Sequence, residues 1–165
     1  MLGSAFAYFT GYFALLELGH LQPYQTALIT AGTSTTGLAA IAMAKKIGAT
    51  IIATTRTSKK KDTLLQAGAD YVIATEEEDL VARVMEITNG QGADVIYDAV
   101  AGALSEKLAQ AVKVRGHWVV YGFLDQENLS AFPWLSAFIR SFHFYVYKVF
   151  DFTLGLSQAV HRSVV

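Results

Sequence analysis

The stretch Thr26-Ala27-Leu28-Ile29-Thr30-Ala31-Gly32-Thr33-Ser34-Thr35-Thr36-Gly37-Leu38-Ala39-Ala40 decides the fold. A short apolar run ends in small and hydroxylated residues, then passes directly into an Ala-rich helical pattern. Such a layout builds an anion site. Backbone N–H groups at a helix N-terminus have no intrahelical acceptor and point at whatever sits there. Small residues let a pyrophosphate come close, and hydroxyls add hydrogen bonds. The order matches the first strand, phosphate loop and first helix of a dinucleotide-binding sheet. Of the G-x-G-x-x-G fingerprint only the last glycine, Gly37, is clearly present. Taken alone, the loop reads equally well as an ordinary strand-to-helix turn.

The flanking sequence alternates strand-like and helix-like patterns. Residues 27–30 read as a strand, and 37–47 as a helix closed by Gly48. The β-branched run 50–54 reads as a second strand. Ser58 is placed to cap a helix over 59–67, closed by Gly68, and 71–73 is a short strand. Thr75 with Glu78 forms a capping-box pattern for a helix over 76–88, whose acidic first turn suits the helix dipole. Strands at 94–97 and 116–121 flank a helix at 104–112. An aromatic strand at 142–147 precedes a helix from about Asp151. Repeated β-α-β with short unbroken apolar strands implies a parallel sheet covered on both faces. We therefore expect an α/β, doubly wound, parallel six-stranded Rossmann sheet of order 3-2-1-4-5-6, with helices on both faces.

Composition narrows the classes. Of 165 residues, 53% are hydrophobic and only 16% charged, which leaves apolar surface for a partner. A net charge of −1 gives no broad attraction to nucleic acid or acidic membranes. Cysteine is absent, which excludes disulfides and thiolate zinc sites and makes the cytoplasm the default location. The apolar start, 2–16, is too short to span a membrane and is interrupted by Gly3, Ser4, Thr10 and Gly11, so it reads as a buried helix. His20, His117, His143 and His161 show no metal-ligand spacing, and no G-x-S-x-G accompanies a Ser-His-Asp set. Asp98, at a strand end, reads as structural rather than as a general base.

The second strand ends Ala53-Thr54-Thr55-Arg56-Thr57-Ser58-Lys59-Lys60-Lys61, with no acid before Asp62. NAD-binding folds place an acidic residue here for the ribose hydroxyls. A carboxylate would repel a 2′-phosphate, whereas Arg or Lys attracts one. The pattern therefore favours NADP(H), with Arg56 foremost and Lys60 or Lys59 in support. A solvated basic turn is the plain alternative.

With these residues placed, the chain resembles the cofactor domain of the medium-chain dehydrogenase/reductase superfamily, in its zinc-independent NADPH:quinone oxidoreductase-like branch. The segments Tyr8-Phe9-Thr10-Gly11-Tyr12-Phe13-Ala14-Leu15, Leu21-Gln22-Pro23-Tyr24-Gln25-Thr26-Ala27-Leu28-Ile29 and Ala67-Gly68-Ala69-Asp70-Tyr71-Val72-Ile73 carry the likeness. So do the loop from Ala31 to Gly37 and Gly92-Ala93-Asp94-Val95-Ile96-Tyr97-Asp98-Ala99-Val100-Ala101-Gly102. The resemblance implies that Ser34, Thr35, Thr36 and Gly37 hold the pyrophosphate. It gives Thr55, Arg56 and Lys60 to the adenosine phosphate, and Thr10 and Val100 to the nicotinamide end. Gly122 and Phe123 would line the pocket after strand five. It implies hydride transfer to a quinone or an α,β-unsaturated carbonyl, and a homodimer paired through strand 142–147 with no nucleic-acid or membrane partner.

The chain departs from the pattern at Tyr24-Gln25, at Thr35-Thr36 and at Ala74-Thr75, where an adenine-contacting tyrosine is usual. The resemblance implies a catalytic barrel domain that these 165 residues do not match, and we expect a truncation. Residues 1–22 then read as a linker helix and 23–165 as the dinucleotide-binding domain of a truncated protein, nearly inactive alone. Two other readings stay open: a non-catalytic nucleotide-sensing or dimerisation module with a degenerate phosphate loop, and the enoyl reductase domain of a larger synthase.

Overall fold

The structure, a computed structural model, describes residues 2–149. Six strands form one sheet: β1 Thr26–Ile29, β2 Thr50–Thr55, β3 Tyr71–Ala74, β4 Ala93–Asp98, β5 Val112–Val120 and β6 His143–Val146. Their order is β3-β2-β1-β4-β5-β6, and every adjacent pair is parallel. This is the doubly wound Rossmann sheet. The helices are α1 Leu2–Tyr12, continued by a π-helical turn Phe13–Leu18, then α2 Thr35–Ile47, α3 Lys61–Ala67, α4 Leu80–Ile87, α5 Ser105–Ala111 and α6 Trp134–Arg140.

Period-two alternation along the strands sorts the core into two layers. Ala27, Ile29, Ile51, Ala53, Val95 and Tyr97 pack under the α1 extension, α2 and α3. Leu28, Ile52, Ile73, Ile96 and Trp118 face α4 and α5 on the other side. Gly48 and Gly68 end α2 and α3 in the left-handed conformation, at φ 88° and 114°.

Several local expectations change. Ser58 does not cap α3. Its N–H and hydroxyl both donate to the Glu77 carboxylate, and a 3₁₀ turn Ser58–Lys60 precedes the helix. The Thr75–Glu78 capping box does not form either, because both side chains are engaged elsewhere. The Thr75 hydroxyl donates to the Thr55 carbonyl at 3.4 Å. The Glu78 carboxylate accepts from the Ala74 N–H and pairs with Lys61 at 2.6 Å, which holds its pKa below the usual range. Asp79 caps α4 instead, accepting from the Ala82 N–H at 3.0 Å, so the acids at 76–79 precede the helix.

The apolar start is helical but buried on one face only. Ala7, Thr10 and Gly11 face α2, where a Cβ on Gly11 would sit 3.7 Å from the Ala40 Cα. Phe6, Tyr8, Phe9 and Tyr12 lie off that stripe of small residues and remain exposed. β5 begins at Val112, earlier than the expected 116, because a bulge lies between its Ala93 and Val95 pairings and Arg115 turns at φ 63°. α6 has no counterpart in the sequence reading. Its inward groups are polar, with Ser136 donating to Glu106 and Arg140 to the Val112 carbonyl, while Trp134, Leu135, Phe138 and Ile139 point outward. The helix expected from Asp151 lies outside the described residues. Among the described residues no helix is long and apolar enough to cross a membrane.

Candidate cofactor site

β1 delivers the chain into the loop at the carboxyl edge of the sheet. Ala31 takes a left-handed conformation at φ 47°, and the Gly32 N–H donates to the Thr54 carbonyl, tying the loop to β2. Ser34 is the N-cap of α2. Its hydroxyl donates to the Ala31 carbonyl at 2.8 Å and accepts from the Gly37 N–H at 3.0 Å. The Thr35 and Thr36 N–H groups stand in the first turn, where no intrahelical acceptor exists. An anion at that end would take them.

Gly37 is set by close packing. A Cβ there would lie 2.5 Å from the Ala31 carbonyl oxygen and 2.8 Å from the Gly32 Cα. Gly32 is nearly as tight, at 3.1 Å from Leu64 and 3.2 Å from Ala53. Gly32, Ser34 and Gly37 therefore stand at the three fingerprint positions, with serine in the middle. The sequence carries that signal in the five-residue spacing of the two glycines, of which the fingerprint reading used only the second.

Two cavities open along this edge. The larger, about 600 Å³, runs over the ends of β1 and β2 and is lined by Ala31, Thr55, Arg56, Lys60 and Val100 among others. Arg56 and Lys60 form no ion pair among the described residues, whereas neighbouring Lys61 is taken by Glu78. Two carboxylates, Glu76 and Asp125, also reach this wall. Asp125 accepts from the Ala103 N–H and from Asn128, bonds that hold its carboxyl below the usual range. Lys59 is outside the lining.

The smaller cavity, about 400 Å³, is lined by Phe6, Thr10, Ser34, Thr36, Tyr121, Gly122 and Lys148, and Leu124 borders both spaces. The fold thus gathers Thr55, Arg56, Lys60 and Val100 at one end and Thr10, Ser34, Thr36 and Gly122 at the other. Thr35 is exposed and Gly37 buried, and neither lines a cavity. Phe123 is 46% exposed and lines neither; Leu124 takes the place expected of it. The Thr10 hydroxyl is turned back onto the Phe6 carbonyl at 2.8 Å.

Asp98 is fully buried and lines neither cavity. Its carboxylate accepts from the Thr30 hydroxyl and the Val100 and Ala101 N–H groups, and from the Trp118 indole at 3.1 Å. Burial pushes its pKa up and these four donors oppose the shift. It organises the turn after β4, in which Ala101 sits at φ 52°.

Tyr121, absent from the sequence reading, joins the two halves. Its ring stacks on Tyr97 with centroids 4.1 Å apart, and its hydroxyl lies 3.0 Å from the Thr36 hydroxyl.

Residues 35–158 match the family described as zinc-binding dehydrogenase. The chain belongs to that family. A 159-residue stretch is 31% identical to a phenolphthiocerol/phthiocerol polyketide synthase of Mycobacterium tuberculosis, covering 96% of this chain and 7% of that protein. The chain thus spans a small part of the curated relatives it matches first. The Escherichia coli quinone oxidoreductase, solved in complex with NADPH, superposes with a TM-score of 0.80 at 30% identity, over 87% of this chain and 44% of that one. A domain assigned as the enoyl reductase of a polyketide synthase superposes at 0.78 with 29% identity, over 96% of this chain and 86% of that one. The structure is the cofactor-binding domain of a medium-chain dehydrogenase/reductase. The family description names zinc, yet among the described residues no three His, Cys, Asp or Glu side chains group to hold a metal ion.

Proposed function

We propose that this zinc-binding-dehydrogenase domain binds NADP(H) and serves a reductase acting on a quinone or an α,β-unsaturated carbonyl. The observation that carries the cofactor choice is the end of β2. Among the described residues Arg56 and Lys60 form no ion pair there, on the cavity beside an open helix N-terminus. The residues present fit the cofactor. The Thr35 and Thr36 N–H groups would hold the pyrophosphate, with Gly37 permitting the approach. Arg56 and Lys60 would hold the adenosine 2′-phosphate, and Gly122 and Thr10 would frame the nicotinamide end; Val100, expected there, lines the larger cavity with Arg56 instead.

Hydride chemistry is what a nicotinamide cofactor supplies when bound. The chain's own residues bind, orient and exclude water: Phe6, Leu124 and Val149 give the smaller cavity a largely apolar wall. Polyketide synthase and quinone oxidoreductase relatives support an acceptor conjugated to a carbonyl, and they leave open which. The cytoplasm is the location proposed for the cysteine-free chain.

A second copy is proposed on the β6 edge. Phe144 and Val146 are exposed there, and α6 lies close by with four outward apolar side chains. Such an edge needs cover. The cofactor proposal is tested by Arg56→Asp. It should cut NADPH affinity about tenfold or more while sparing NADH, since a charge-assisted contact to phosphate is worth roughly 1.5–3 kcal/mol. Equal effects on the two ligands would refute the assignment.

A further inference from the structure

The hydroxyls at the floor of the smaller cavity form a directed chain. The Ser34 hydroxyl proton is committed to the Ala31 carbonyl at 2.8 Å, and the same oxygen already accepts from the Gly37 N–H. The Thr36 hydroxyl lies 3.2 Å from Ser34 and 3.0 Å from Tyr121. With the serine proton used, the contact between Ser34 and Thr36 is a bond only if Thr36 donates to Ser34. Thr36 has one proton, so Tyr121 must then donate to Thr36. The order runs Tyr121 to Thr36 to Ser34 to the Ala31 carbonyl.

At the open end stands the Tyr121 oxygen on the wall of the cavity, its proton spent on Thr36; a phenol oxygen carries two lone pairs, and the neighbouring Tyr97 hydroxyl can take no more than one. The stack on Tyr97 fixes the ring. The site therefore offers an acceptor where the remainder of the wall is mostly apolar.

We infer that the Tyr121 phenol oxygen accepts a hydrogen bond from the nicotinamide nucleoside half of the cofactor, with Thr36 as the positioning residue that sets its polarity. The inference rests on the NADP(H) reading above. The donor is an N–H or O–H of that half: the carboxamide amine or a hydroxyl of the second ribose. The hydroxyls at 36 and 121, 3.0 Å apart, work as a pair.

The test uses this chain and its Tyr121→Phe and Thr36→Val variants, titrated with NADPH, with 2′-phospho-ADP-ribose, which keeps the second ribose but lacks nicotinamide, and with 2′,5′-ADP, which lacks both. Tyr121→Phe keeps the ring stack and removes only the oxygen. It should weaken NADPH about three- to tenfold, the range for one hydrogen bond, and leave 2′,5′-ADP unchanged. Thr36→Val should act in the same direction, less strongly. Loss shared by NADPH and 2′-phospho-ADP-ribose assigns the ribose hydroxyl; loss confined to NADPH assigns the carboxamide. Equal loss for all three ligands, or loss for none, overturns the inference and leaves the NADP(H) reading standing. Failure of the unmodified chain to bind any of the three overturns both. Unfolding midpoints of the variants, expected to match that of the unmodified chain, exclude a purely structural effect.

Discussion

Gly37 couples the phosphate loop to the helix it opens. A methyl group there meets the Ala31 carbonyl at 2.5 Å, and that neighbour is backbone, which cannot swing away. Gly37→Ala should cost about 2–3 kcal/mol, the upper part of the range for overpacking, read as a lowered midpoint in urea unfolding. Tyr97 offers the opposite case. Its hydroxyl is buried with no hydrogen-bond partner at bonding distance among the described residues, and burial raises its pKa far above the usual tyrosine value. Tyr97→Phe should be neutral or stabilising by up to about 1 kcal/mol, because it removes an unsatisfied polar group without changing shape. At this scale the sequence disclosed residue types well and directions poorly. The place of Arg56 and Lys60 on the larger cavity was legible because a strand end, hydroxyls and cations coincide. Tyr121 was not, because its role depends on a contact with Thr36 across 85 positions of chain.

Among the elements, those bounded by glycine or by β-branched runs were legible, since Gly48 and Gly68 meet a backbone need that other residues meet badly. The start of α4 was misplaced because Thr75, Glu78 and Asp79 all have capping chemistry, and only tertiary contacts decide among them. Lys61 and the Ala74 N–H occupy Glu78, which leaves Asp79 to cap. Asp79→Ala should therefore destabilise by about 1 kcal/mol, and Thr75→Ala by clearly less, in thermal unfolding. α6 was missed because it is inside out, presenting apolar groups to the outside.

The β5–β6 edge carries a pH signature. His117 stacks on His143 with ring centroids 4.5 Å apart and meets His20 at 5.7 Å, with Tyr145 parallel to it beyond. Burial, then the two neighbouring histidines, lower its pKa. Above pH ~6.5, the ordinary histidine value, His117 is neutral both folded and unfolded and contributes nothing. As pH falls below that value the unfolded chain takes up the proton first, and stability drops. His117→Gln should flatten the loss of stability between pH 7 and pH 5.5.

At the scale of the whole molecule, outward apolar side chains concentrate in two places: α1, with Phe6, Tyr8, Phe9 and Tyr12, and the α6–β6 side, with Trp134, Leu135, Phe138, Ile139 and Val146. Where exposed apolar side chains join into a contiguous surface, they mark contacts with partners. Val146→Lys places a charge on the β6 edge; if the proposed dimer pairs there, the unmodified chain sediments as a dimer and the variant as a monomer, and a dimeric variant would remove β6 from the interface. The doubly wound order was legible in advance because alternation of strands and helices, with right-handed crossovers, leaves few other topologies. The acceptor of the proposed reduction was not legible, since the residues lining the two cavities single out none.

Calorimetric titration of this chain with NADPH and, separately, with NADH tests the central claim most directly. Tighter binding of NADPH is the predicted result, with Arg56 and Lys60 engaging the 2′-phosphate. Equal affinities, or no heat with either nucleotide, would contradict it.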